Sequence, residues 1–122
     1  MIAEAVLCMA LTVYHEARGE PEAGQLAVAL VVRNRAEQRG TSICWEVFLP
    51  RQFSWTNDDR LRHSIPHGKT WDRSLAIARR VIKGEPDFTG GANHYDRLDH
   101  PPKWSIGMTV TGIWGAHVFF KS

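Results

Sequence analysis

Glu16 is the residue of this chain whose position most invites chemistry. Positions 2, 6, 9, 13 and 16 step alternately by four and three, the spacing of one helix face, so Glu16 continues an apolar stripe. A carboxylate there is costly to bury ionised, which favours the protonated form and suits the residue to act as a general acid. The plainer alternative is a helix-end glutamate satisfied by Arg18 or by backbone donors. A glycosidase with a second working carboxylate needs it roughly 5–5.5 Å away as a nucleophile, or about 6.5–9.5 Å away as a base for water. Glu20, Asp58, Asp59, Asp96 and Asp99 are available, but none sits in a stretch that reads as poised. Glu20 follows a helix stop and suits an N-terminal cap on the next helix. His15-Glu16 opens like a zinc-binding helix, yet the second histidine would have to stand at position 19, which is Gly19. A metal would then have to use the scattered His15, His94 and His117, and neither a metal nor a cofactor is expected. The two cysteines, Cys8 and Cys44, form no disulfide framework and lack metal-pair spacing; Cys8, in an apolar stretch, reads as a buried free thiol.

The elements that must position these residues follow from periodicity. Residues 2 to 17 form a helix with Ile2, Ala5, Val6, Met9, Ala10, Val13, Tyr14 and Ala17 on one sector. Glu4, Cys8, Thr12 and His15 share the opposite one. Arg18-Gly19 stops it, and Pro21 suits the first position of a second helix, whose run Leu26 to Val32 is apolar on every side and reads as central and buried. Gly40 suits its C-terminal cap. A short helical piece follows around Trp45 to Leu49, then a polar surface loop over 56–70. Thr70 can cap a third helix running through Ile82, with Gly84 as its stop. Two short strands are expected late, around Asn93 to Asp96 and His117 to Phe120. Helices first and a small sheet last give an α+β class, mainly helical with a small antiparallel sheet.

Length and charge bound the rest. The 122 residues suit a single domain over 1–122 with a core that needs no staple. A net charge of +2 suits an anionic polymer but is far from a nucleic-acid signature, and the basic turn of Arg79, Arg80 and Lys83 reads as a solvated face. No apolar run reaches the roughly 20 residues of a membrane span. The N-terminus carries Glu4 and no Lys or Arg before its apolar run, so it does not read as a signal peptide. A monomer is expected. Five tryptophans, against five phenylalanines and two tyrosines, are the one unusual count.

The stretch Tyr14-His15-Glu16-Ala17-Arg18-Gly19-Glu20, followed by Gly24-Gln25, Ala27-Val28 and Asn34-Arg35, resembles the opening motif of the SleB/CwlJ-type cell wall hydrolases. The resemblance continues through Ser42-Ile43-Cys44, Val47 and Gln52-Phe53-Ser54-Trp55, then resumes at Ala92-Asn93-His94-Tyr95, Pro102-Lys103-Trp104 and Gly115-Ala116-His117-Val118-Phe119. The order and completeness of these blocks make it specific. It implies a lysozyme-like fold in which Glu16, the first glutamate of the opening motif, is the catalytic residue. It implies peptidoglycan glycan strands as substrate and a lytic transglycosylase chemistry that needs no second carboxylate. A water-using muramidase, a metal-dependent wall hydrolase and a non-enzymatic wall or nucleic-acid binder stand behind it as alternatives. On the family blocks, Trp55, Tyr95 and Trp104 are candidates to stack on sugar rings, with ordinary core packing as the alternative for each. Gln52 offers an amide to N-acetyl groups, and His94 and His117 could hydrogen-bond in the site or serve the sheet. Asn34 is expected to satisfy a buried backbone group. Trp55 and Trp104 are thus expected as groove walls, with Trp45, Trp71 and Trp114 in packing roles. Such an enzyme acts on the cell wall, in the periplasm, outside the cell or in phage lysis.

Overall fold

The computed structural model describes residues 2–50, 52–99 and 105–122. Its helices are α1 (Glu4–Ala17), α2 (Glu22–Arg39), α3 (Ile43–Val47), α4 (Asp59–Arg62) and α5 (Lys69–Lys83). The strands are β1 (His94–Arg97), β2 (Thr109–Trp114) and β3 (His117–Lys121). They form one antiparallel sheet in the order β1-β3-β2, so the chain is α+β as expected.

α2 is the central helix. Leu26 to Val32 are all buried, as an all-round apolar run requires, and Gly40 closes the helix in the left-handed conformation with its N–H on the carbonyls of Ala36 and Glu37. Pro21 stands one residue outside the helix, at the N-cap. α5 begins at Lys69 with Gly68, not Thr70, at its N-cap, and it ends at Gly84 as expected. A 3-10 turn at Ser54–Asn57 runs into the 56–70 stretch, which also holds the single turn of α4 and the start of α5. Asp58 holds that turn by accepting from the backbone N–H groups of Arg60 and Leu61.

α1 is buried on more than its apolar stripe, because α2, α3 and α5 all pack against it. Cys8 and Thr12, which the helical projection groups with the polar sector, are therefore buried, and the Thr12 hydroxyl donates back to the Cys8 carbonyl at 3.1 Å. This contact with α3 overturns the free-thiol reading of Cys8. Cys8 and Cys44 are joined in a disulfide across a sequence separation of 36, tying α1 to α3. Two cysteines on helices of unknown packing carry no sequence signal for pairing, since the proximity is tertiary.

The third strand, β2, was outside the sequence expectation. It is an edge strand with Val110 and Ile113 exposed and an irregularity between Val110 and Gly112, so burial alternates too weakly to mark it. β2 and β3 are joined through Gly115-Ala116, with Gly115 at a φ of 62°. Two clusters make the core. The larger fills the space between α1, α2, α3 and α5; the smaller joins Ala17, Ala27, Val28, Val31, Ala92 and Phe119 beneath the sheet. Tyr95 packs against both. Among the described residues, no helix is long and apolar enough to cross a membrane.

Candidate active site

The last turn of α1, the C-terminal half of α2, β1 and the β2–β3 turn surround a groove of about 1250 Å³. Glu16 lines it from the end of α1, where the stripe that runs into the core reaches the surface and leaves the side chain half-buried. Strand β1 lies across that helix end and delivers Tyr95, whose hydroxyl donates to Glu16 Oε1 at 2.5 Å. Pairing of Tyr95 with Phe119 fixes the strand's register, and the two rings pack 5.5 Å apart. Burial, then the Glu16 charge and the hydrogen bond to it, push the Tyr95 hydroxyl well above its ordinary pKa, so it stays a donor across the working pH range. With Oε1 engaged by Tyr95, Oε2 is the other carboxyl oxygen of Glu16. Tyr95→Phe is expected to lower kcat by about 10- to 100-fold, the worth of a hydrogen bond to a charged group, with KM little changed. Steady-state kinetics on soluble glycan fragments reads the two apart.

Glu20 also lines the groove, but it does not cap α2. Its Oε1 accepts from the Ala116 N–H at 2.7 Å and meets His117 Nδ1 at 3.0 Å. The β2–β3 turn is therefore clamped onto the α1–α2 corner. A Cβ on Gly115 would stand 2.8 Å from Glu20 Oε1, which is one reason a glycine sits there. His117 in turn packs edge-on against Tyr95, with ring centroids 5.2 Å apart. Glu20→Ala is expected to destabilise the fold by about 0.5–1.5 kcal/mol, because the exposed Ala116 N–H and the partly buried His117 ring lose their shared acceptor; thermal unfolding measures it.

The other predicted site residues divide. Gln52 and His94 line the groove. Both ends of the Gln52 amide are already engaged: Oε1 accepts from Arg35 Nη1 at 2.5 Å and Nε2 donates to Glu46 Oε1 at 3.0 Å. His94 Nδ1 stands 2.8 Å from Asn93 Oδ1. Burial, with Arg35 and Arg39 adding to it, lowers the His94 pKa and keeps the ring neutral. Trp55 does not wall the groove. It is 5% exposed in the larger core, stacked at 4.8 Å on His15, which itself reaches the groove. Trp104 lies outside the described residues. Of the other tryptophans, Trp71 is buried and Trp114 packs on Phe88 and Phe119, whereas Trp45, expected to pack, is 52% exposed. Asn34 donates to the Ala92 carbonyl at 2.9 Å, the buried backbone group foreseen for it. Among the described residues no group of three or more His, Cys, Asp or Glu could hold a metal ion.

Sequence reasoning missed Arg35 and Glu46. Glu46 is 0% exposed, and its partners are Thr41, Gln52 and Arg39. No periodicity marks it, since α3 has only five residues. Arg35 lines the groove with Nε on the Asn93 carbonyl at 2.6 Å, and burial lowers its pKa.

A family model described as cell wall hydrolase matches residues 19–120. The chain belongs to the cell wall hydrolase family. The matched span begins at Gly19, just past Glu16. Spore cortex-lytic enzymes are similar over most of the chain. That of Bacillus cereus is 33% identical over 116 residues, and that of Oceanobacillus iheyensis is 31% identical over 120. Each alignment covers 93% of this chain but only 42% and 40% of the relative, so the chain spans less than half the length of the curated relatives it matches. Among solved structures, the catalytic domain of the germination-specific lytic transglycosylase SleB from Bacillus anthracis aligns with a TM-score of 0.77 at 31% identity, covering 98% of this chain and 97% of that one. The catalytic domain of the Bacillus cereus SleB protein aligns at 0.73 and 31%, covering 96% and 89%. The wall hydrolase fold and the resemblance of the motifs thus agree.

Proposed function

We propose that this chain cleaves the β-1,4 bond between N-acetylmuramic acid and N-acetylglucosamine in peptidoglycan as a lytic transglycosylase, acting as a monomer with Glu16 as its one acid and base. The observation that carries the reading is Glu16 at the helix end, with Tyr95 on Oε1 and Oε2 left for the groove. The likeness to a SleB catalytic domain described as a lytic transglycosylase supports it. In the first step Glu16 gives its proton to the glycosidic oxygen as the bond to the muramic acid C1 breaks. In the second, the resulting carboxylate takes the proton of the muramic acid 6-hydroxyl, whose oxygen bonds to C1 and closes a 1,6-anhydro ring. Glu16 ends protonated, ready for the next cycle. Tyr95 donates to Oε1 throughout, stabilising the carboxylate between the steps.

A chemistry with one carboxylate suits this groove. Besides Glu16, the acids lining it are Glu20, engaged by the Ala116 N–H and His117, and Asp96, whose Oδ1 accepts from the Arg97 N–H. Glu20→Gln separates this from a two-carboxylate mechanism. Glutamine keeps an acceptor for the turn, so activity falls by less than about fivefold, the scale of a partly exposed ion pair. Loss as complete as that from Glu16→Gln would make Glu20 a second catalytic group. The reaction class is tested by digesting purified peptidoglycan and following new glycan ends against new free amino groups. Glycan ends alone are expected; new amino groups would mean peptide-bond cleavage instead.

A further inference from the structure

Behind one wall of the groove lies a buried carboxylate that the reaction does not use. Glu46, fully enclosed, is met by Arg39 Nε at 3.5 Å, by Gln52 Nε2 at 3.0 Å and by Thr41 Oγ1 at 3.2 Å. A charge without water is retained only where it is paired, and here it sets a chain of donors facing one way. Gln52, turned by Glu46, presents its Oε1 to Arg35 Nη1 at 2.5 Å, and the Asn93 carbonyl takes Arg35 Nε at 2.6 Å. The Arg35 guanidinium also lies over the Phe53 ring, 5.6 Å from its centroid. Held at three points, it lines the groove, and its Nη2 has no partner among the described residues. Arg39 lines the same end.

Charge at this end does not balance. Arg39 meets the Glu46 carboxylate directly and Arg35 reaches it only through Gln52, so two guanidiniums stand beside one buried carboxylate. The nearby His94 does not change the sum, since burial and these same two arginines keep it neutral. Glu16 is a second carboxyl group that bears on Arg35, and in the reaction proposed above it is the proton donor. The sugar backbone of a glycan is neutral, so a fixed cation in its groove has something else to meet.

We infer that the Arg35–Arg39 end of the groove is a carboxylate-binding subsite, seating an acidic substituent of the muramyl residue while Glu16 attacks the neighbouring glycosidic bond. This rests on the reading of a muramyl glycan as substrate. The carboxylate has two possible sources of one chemistry, the free lactyl acid of a stem-free muramyl unit or a carboxylate of its peptide stem. Arg35 makes the contact, and Gln52 and Glu46 position it.

The test is binding to the Glu16→Gln protein, followed by calorimetry. The ligands are stem-free and stem-bearing glycan fragments, each as the free acid and after amidation of its carboxyl groups, with chitooligosaccharide of equal length as a neutral reference. At low salt at least one free acid is expected to bind about tenfold tighter than its amidated form, the worth of a charge-assisted hydrogen bond. Whichever pair shows the preference names the source. Adding Arg35→Gln removes the preference and brings that acid to the affinity of its amidated form; Arg35→Lys keeps part of it. Equal binding of acid and amidated glycan in both pairs overturns the subsite, as does an Arg35→Gln loss that falls equally on chitooligosaccharide. The amidation arm needs no change at Arg35, so it decides the matter even if that variant folds poorly. Failure of the proposed reaction is a separate result: a protein that prefers the acid but leaves peptidoglycan uncut keeps the subsite and loses the enzyme.

Discussion

Glu16→Gln is expected to lower the rate of wall clearing by about 10³- to 10⁴-fold, the upper range for removal of a general acid, because in the proposed reaction Glu16 serves both proton transfers. The fold is expected to survive, since glutamine has nearly the same shape and its amide oxygen can still accept the Tyr95 hydroxyl. Clearing of a peptidoglycan suspension, with circular dichroism melting beside it, reads both halves. A variant that clears at more than about a tenth of the parent rate contradicts the assignment. One that fails to melt cooperatively would locate the loss in the fold, and Tyr95→Phe then carries the test, because it trims one oxygen from a residue whose ring still packs between the two cores.

Reduction of the Cys8–Cys44 disulfide is the second large effect. The bridge closes a loop with a sequence separation of 36, for which the loss of unfolded-chain entropy contributes roughly 2–4 kcal/mol. For a chain of 122 residues that corresponds to a fall in Tm of about 8–16 °C. The bridge ties α3 to α1, and α3 carries Glu46, which orients Gln52 and through it Arg35. Reduction therefore loosens the Arg35 wall of the groove before it releases Glu16, which sits on α1 and is held by β1. Thermal unfolding with and without a reductant, and of the Cys8→Ser/Cys44→Ser protein, measures the shift. Coincident melting curves would show that packing of α1 on α3 suffices without the bridge.

What the sequence revealed and what it hid divide along a physical line. α1, α2 and α5 were legible because burial of one face, or of every face in α2, repeats at helical spacing and because Gly40 and Gly84 mark two of the ends. Glu16 was legible for the same reason: it continues the stripe of α1 to the point where that stripe emerges. Contacts made by packing were not. Cys8 lies on the polar sector of an isolated α1 yet meets Cys44, because α3 covers that side. Trp55 falls in a motif block with Gln52, and the 3-10 turn Ser54–Asn57 that carries Trp55 places its ring in the core while Gln52 stays at the groove. Glu20 looked like a cap because its neighbour in sequence is a helix start. Its partners are the Ala116 N–H and His117, nearly the length of the chain away. Arg35 and Glu46 are ordinary charged residues in the sequence, and only the fold shows that a buried carboxylate holds Gln52 against a guanidinium that lines the groove.

The central claim is that one glutamate performs the whole reaction without water. Mass spectrometry of peptidoglycan digested by the purified protein tests it most directly. Muropeptides ending in 1,6-anhydromuramic acid are the predicted product, and they should vanish with Glu16→Gln. Fragments ending in reducing muramic acid, with no anhydro product, would contradict the account and leave a water-using muramidase in its place.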